Sequence, residues 1–234
     1  MAGEIITHER NIAFILEDAF GFLFKANEAT DDLDDQQMFS RSSITFTLLL
    51  LEASANALLD SLALERSAAN DMDRLSILAK FDLFKRITCK GLGLNRGDRR
   101  VQELNELKKL RDRLVHPKRR LTSWSETSSG GMVSETEKVP LLSVSSDPWV
   151  WDFSDALAVA RAVHGFLNAF LLVQCELSAI QSAAILYSEG DTPSFDENDF
   201  GIPAMVLLNK HGFREWNISV DYLLGRYSYE DLPT

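Results

Sequence analysis

The chain has little of what would export it, crosslink it or anchor a metal. Its 234 residues include two cysteines, Cys89 and Cys175, far apart and both in apolar helical contexts. Neither a disulfide framework nor a thiolate zinc site is expected, and a reducing cytoplasm is the expected setting. Met1-Ala2-Gly3-Glu4 offers no basic segment ahead of an apolar core, and the apolar run Ile44 to Leu51 stops at Glu52. That run is shorter than the roughly 20 residues a bilayer demands, so no membrane anchor is expected. His8, His164 and His211 lack metal-ligand spacing, and neither metal nor cofactor is expected. The run Asp31-Asp32-Leu33-Asp34-Asp35 has no second copy to complete a magnesium site and reads as a solvated turn. Gly91-Leu92-Gly93-Leu94-Asn95-Arg96-Gly97 has the wrong spacing for a dinucleotide fingerprint and follows a helix rather than a strand. No internal repeat appears, nor the strand–helix alternation of a parallel sheet.

Positive charge is also scarce overall. Twenty-four Lys and Arg stand against 35 Asp and Glu, a net charge of −11, which argues against a general nucleic-acid coat protein. The average hides an inversion. Lys108, Lys109, Arg111, Arg113, Lys118, Arg119 and Arg120 face only Asp112 in their window, a local charge of +6, so the rest of the chain carries −17. An acidic body with one basic patch suits a local anionic ligand; the alternative is a solvated helix end whose cations complement the helix dipole.

Hydrophobic residues, at 45%, supply a core, and their spacing is helical. A first helix is expected from about Thr7 as N-cap through Leu23. A long central helix follows from Ser40 to Leu64, apolar in nearly every direction and so packed on most sides. A third starts at Asn70 or Asp71 and carries Leu75, Leu78, Phe81 and Ile87 to a stop at Gly91. A fourth begins near Asp98 and ends before Pro117, since the residue preceding proline is pushed out of the α region. Residues 121–146, rich in Ser, Thr, Glu and Gly, read as an exposed loop or hairpin. From Asp147-Pro148 or Ser154-Asp155 a last long helix runs toward Tyr187. The expected fold is all-α: an up-and-down bundle of about five helices over 1–188, with the 121–146 insertion and an irregular C-terminal extension over 189–234.

Arg111 breaks the pattern of the fourth helix. Its neighbours one and two turns away are Leu104, Leu107, Leu114 and Val115, which sets a guanidinium in the middle of an apolar stripe. Stripping water from that charge costs several kcal/mol unless it is paired. Either Glu52 of the central helix answers it or it lies at a wet subunit interface. Glu52 and Asn56, one turn apart among leucines, are candidates for an inward polar pair supporting Arg111. His116 lies five residues after Arg111, about 140° away in an unbroken helix. Pro117 releases His116 from that helix, so a fixed guanidinium and a swinging imidazole can converge on one phosphate. Arginine forks onto phosphate oxygens and histidine exchanges protons near neutrality, a combination suited to phosphodiester transfer or cleavage.

Leu110-Arg111-Asp112-Arg113-Leu114-Val115-His116-Pro117 resembles the motif of the HEPN domain (higher eukaryotes and prokaryotes nucleotide-binding). That motif is an arginine, commonly followed by Asn, Asp or His, then four to six intervening residues and a histidine at a helix end. The segment Leu48 to Leu59 is similar to the central helix of many such domains, and the resemblance covers roughly 7–188. It implies a dimer in which two motifs face one composite cleft, and a metal-independent endoribonuclease. In that reading Arg111 holds the scissile phosphate, His116 acts as general acid or base, and Asp112 orients or tunes the pair. The RNA 2′-hydroxyl attacks, leaving a cyclic phosphate. Lys108, Lys109, Arg113, Lys118, Arg119 and Arg120 are the expected RNA-binding cations. A toxin or defence effector is implied, with an antitoxin or another protein as candidate partner. Other members have lost catalysis and bind nucleotide, RNA or protein, so the fold alone does not decide activity. Lys118 stands where the branch paired with small nucleotidyltransferases carries a tyrosine, so that branch's tyrosine-based control does not transfer.

Overall fold

The computed structural model describes residues 10–116, 123–126, 132–134, 137–187, 208–212 and 215–231. It is an all-α bundle. Five of its helices run twelve residues or more: α1 (Ile12–Glu28), α2 (Leu33–Asp60), α4 (Ile77–Thr88), α5 (Arg99–Val115) and α6 (Phe153–Asn168). Two are short, α3 (Arg66–Asp73) and α7 (Ala179–Leu186). The only strands among the described residues are β1 (Trp124–Glu126) and β2 (Met132–Ser134), an antiparallel pair with Trp124 opposite Ser134.

Helix α2 is the axis, packed by α1, α4, α5, α6 and α7. This explains an apolar composition without a single face: Ile44, Leu48, Leu50, Leu51, Leu58 and Leu59 point to different neighbours and are all buried. A buried Ser43 hydroxyl donates to the Ala19 carbonyl at 2.9 Å and locks α1 against α2. α2 and the continuous stretch Phe153–Gln174 are long and apolar enough by composition to cross a membrane, although 61% and 56% of those windows are buried inside the bundle.

Caps fix the ends and correct several expected boundaries. The first helix starts at Ile12 with Asn11 as N-cap, and the expected cap Thr7 lies outside the described residues. α2 begins well before Ser40: Asp32, read from sequence as part of a turn, is extended and accepts from the Asp35 N–H at 3.1 Å. The expected third helix is two, because Ser76 caps a new start on the Ala79 N–H after Arg74 closes α3. Asp98 caps α5 as expected. The last long helix is interrupted. Asp152 and Asp155 form a capping box at the start of α6, a π-helical turn Ala169–Gln174 follows, and Ser178 and Gln181 build another box that opens α7.

The 121–146 segment divides. Trp124 is 59% exposed on the β1–β2 hairpin, but residues 137–147 are not a solvated loop: Val139 and Val144 are buried in the core. What recruits them is buried Glu106 of α5, whose carboxylate accepts the N–H of Leu141 at 3.0 Å and that of Leu142 at 3.1 Å. Trp151, fully buried, donates to the Ser145 carbonyl at 2.7 Å. The described parts of 189–234 also share the core: Trp216, Ile218, Val220, Tyr222, Leu223 and Leu224 are buried. Asn168 of α6 holds that segment, accepting from the Tyr222 N–H at 3.0 Å and donating to the Ser219 carbonyl at 2.8 Å.

Candidate functional site

α5 ends where the sequence places the anomaly. The His116 N–H still closes the last turn on the Asp112 carbonyl at 3.0 Å, but its own backbone, at φ −121° and ψ 70°, has left the helix. The imidazole therefore departs from the position five helical residues would give it. Arg111 and His116 line one groove of ≈ 320 Å³ with Thr45, Leu48, Leu49, Glu52, Leu114 and Val115. That volume lies at the low end of the range of small-molecule sites, about 300–1,000 Å³. Pro117 itself lies outside the described residues.

Arg111 is half-buried, with a third of its side chain exposed, and it is paired. Its Nη2 donates to Glu52 Oε2 at 3.2 Å across the α2–α5 contact, and its Nη1 donates to Asp112 Oδ1 at 3.1 Å. Burial works against the charged form, but the Glu52 and Asp112 hydrogen bonds outweigh it and raise the guanidinium's pKa. Asp112 also accepts from Lys108 Nζ at 3.1 Å. Its slight burial pushes upward, and the Lys108 and Arg111 bonds hold it below the usual carboxylate range. Two of a guanidinium's five N–H donors are engaged, which leaves a fork for an anion.

Leu48, Glu52 and Arg111 also line a smaller cavity of ≈ 70 Å³. Leu75, Ile77, Leu78, Leu104 and Leu107 wall it together with Lys108. The ion pair thus borders both an apolar recess and the groove that holds His116.

Other candidates are placed differently. Asn56 does not join Glu52: it is exposed and accepts from Lys80 Nζ of α4 at 2.6 Å, while Glu52 turns to Arg111. The two share a helix face, but Lys80 of α4 and Arg111 of α5 approach them from different helices. Helical geometry puts Lys109 and Arg113 about 160° from Arg111 on α5. Lys109 is exposed there, and Arg113 donates to the Ser146 carbonyl at 3.3 Å. Lys108 alone of these three shares Arg111's side. Lys118, Arg119 and Arg120 lie outside the described residues, as does His8. No cluster of three metal-ligating side chains occurs among the described residues.

His164, which lacks metal-ligand spacing in the sequence, has a packing role: it is fully buried, stacked 5.1 Å from the Phe20 ring, with Nδ1 2.9 Å from the Tyr222 hydroxyl. Sequence spacing did not anticipate the approach of the two cysteines. Cys89 at the end of α4 and Cys175 after the π turn are 86 residues apart, yet Cys89 Sγ donates at 3.7 Å to the carbonyl of Gln174, the residue before Cys175. A hint lay in the sequence, since both sit at the polar end of an apolar helix.

Comparison with protein-family models, with curated proteins and with solved structures returns no match.

Proposed function

We propose that the chain is a metal-independent endoribonuclease of the HEPN type, acting as a homodimer whose two Arg111–His116 pairs form one site. The observation that carries this reading is the helix exit at His116, which lets residues five apart line a single groove. Arg111, oriented by Glu52 and Asp112, offers its remaining donors to the scissile phosphate. His116, exposed at the groove, moves the proton between the 2′-hydroxyl and the leaving 5′-oxygen. Lys108 adds positive potential on the same side of α5. A toxin or defence role, with an antitoxin or another protein as regulator, and a cytoplasmic setting complete the proposal.

The test is RNA incubated with pure protein in EDTA. Cleavage with 2′,3′-cyclic phosphate ends is expected, His116→Ala should abolish it while RNA is still bound, and DNA should resist because it lacks the nucleophile. Equal cleavage by wild type and His116→Ala would mean a contaminating nuclease. One observation favours a second reading, a non-catalytic module binding nucleotide, RNA or protein: Arg111 already faces two carboxylates, which offset its charge. Binding without cleavage of any RNA pool would select it.

A further inference from the structure

The chain's two cysteines lie near one another where the end of α4 reaches the residues that close the π-helical turn. Cys89 is the C-cap of α4, where the helix has already opened to φ −110° and ψ 45°. Its Sγ donates to the Gln174 carbonyl at 3.7 Å, the residue immediately before Cys175. Lys85, one turn earlier on α4, donates to the Gln174 side chain at 3.0 Å and fixes the same junction. The π-helical turn Ala169–Gln174 produces the approach. The Cys175 N–H closes it on Phe170 at 2.9 Å, and a π turn rotates the residues after it relative to an α-helix. The chain then breaks, with Glu176 in the left-handed region at φ 53°. Both cysteines are partly exposed and both sit at helix ends, where backbone can shift at low cost.

We propose that Cys89 and Cys175 form a reversible intramolecular disulfide that clasps the end of α4 to the α6–α7 junction. With a peroxide as oxidant, the Cys89 thiol takes one oxygen to become a sulfenic acid and releases water. The Cys175 thiol then attacks that sulfur: the S–S bond forms, the S–O bond breaks, and hydroxyl and thiol proton leave as a second water. The order follows from the surroundings. Burial, with the neighbouring Cys89 thiol adding to it, pushes Cys175 up to about 12, so it stays a thiol and Cys89 reacts first. The hold of Cys89 Sγ on the Gln174 carbonyl, one peptide bond from Cys175, keeps the two residues close and supplies the effective concentration that offsets the weak nucleophile. The ring so closed contains the whole of α5 and α6, and hence Arg111 and His116, so the clasp reduces the unfolded chain's freedom around the candidate site.

The experiment treats the reduced full chain with hydrogen peroxide, blocks remaining thiols by alkylation, and maps peptides without reductant. A peptide joining Cys89 to Cys175 is expected, within one chain and lost on adding dithiothreitol, together with a rise in Tm of about 5–10 °C over the reduced protein. Cys175→Ser should stop at a Cys89 sulfenic acid that a cyclic diketone traps, with no Tm gain. Cys89→Ser should leave Cys175 reduced. Two alkylatable thiols after treatment, a linkage between chains, or a trapped sulfenic acid on Cys175 in Cys89→Ser would each overturn the proposal. None of these readouts depends on RNA cleavage.

Discussion

Arg111 of α5 and Glu52 of α2 are paired at 3.2 Å across 59 residues of sequence, and both line the groove that also holds His116. Each side chain is about a third exposed, so the pair contributes little to stability, on the order of 1 kcal/mol or less. Its value lies in direction: a carboxylate fixed on the central helix decides which guanidinium donors remain for a ligand.

Glu52→Gln keeps the shape and removes the charge. Melting should shift by no more than about 2–4 °C. Under the ribonuclease proposal, RNA binding should tighten a few-fold as a carboxylate leaves the groove, while kcat falls about tenfold as the guanidinium loses its alignment. Unchanged kcat would reduce Glu52 to a structural partner.

Glu106 tests the architecture independently of any function. Its carboxylate is the acceptor for two backbone N–H groups of the 137–147 segment, in a position only 8% exposed. Glu106→Ala leaves those donors without their partner and should cost about 2–3 kcal/mol. Limited proteolysis should then cut first within 137–147. If the variant unfolds in one step with no early cleavage there, Glu106 is not what docks the segment.

Buried His164 makes stability depend on pH. Burial lowers its pKa from 6.5 to about 3, so the unfolded chain binds a proton that the folded one refuses. A depressed folded pKa means its full contribution is present above pH 6.5 and is lost as pH falls toward 3. Between pH 6.5 and 5 the loss should be on the order of 1–2 kcal/mol, the slope reaching roughly 1.4 kcal/mol per unit only well below the unfolded pKa. Urea unfolding followed by tryptophan fluorescence reads this directly, and His164→Gln should flatten the slope over that interval.

The signals legible in the sequence were those carried by single residues acting locally. Asp98 caps α5 and the helix ends at the residue before Pro117, because capping and proline sterics need no tertiary partner. The oddity of Arg111 was also visible, since it is a charge in a periodic apolar stripe. What escaped needed a neighbour. Asp32 looks like its acidic companions until one backbone N–H selects it as a cap. Residues 137–146 fall in the 121–146 stretch that reads as an exposed loop or hairpin, because the carboxylate that accepts the Leu141 N–H sits 35 residues earlier. Asn56 and Glu52 share a helix face in projection and diverge once Lys80 and Arg111 approach from different helices.

The last prediction concerns assembly. The groove's lining includes Leu49 and Val115, 44% and 56% exposed, together with the Arg111–Glu52 pair. Large apolar side chains bordering a polar centre are the pattern of an interface that excludes water around a few charged groups. If two copies meet there, related by a twofold axis, each Val115 is buried by the partner and both His116 imidazoles face one cleft. Val115→Asp should then shift the mass measured by light scattering at tens of micromolar from dimer to monomer, because a carboxylate at that position must desolvate to pair. Its helical circular dichroism should match wild type, since the position is exposed in one copy. Cleavage should disappear with the dimer even though Arg111 and His116 are intact. A Val115→Asp protein that stays dimeric, or a monomer that still cuts RNA, would place the interface elsewhere and confine the site to one chain.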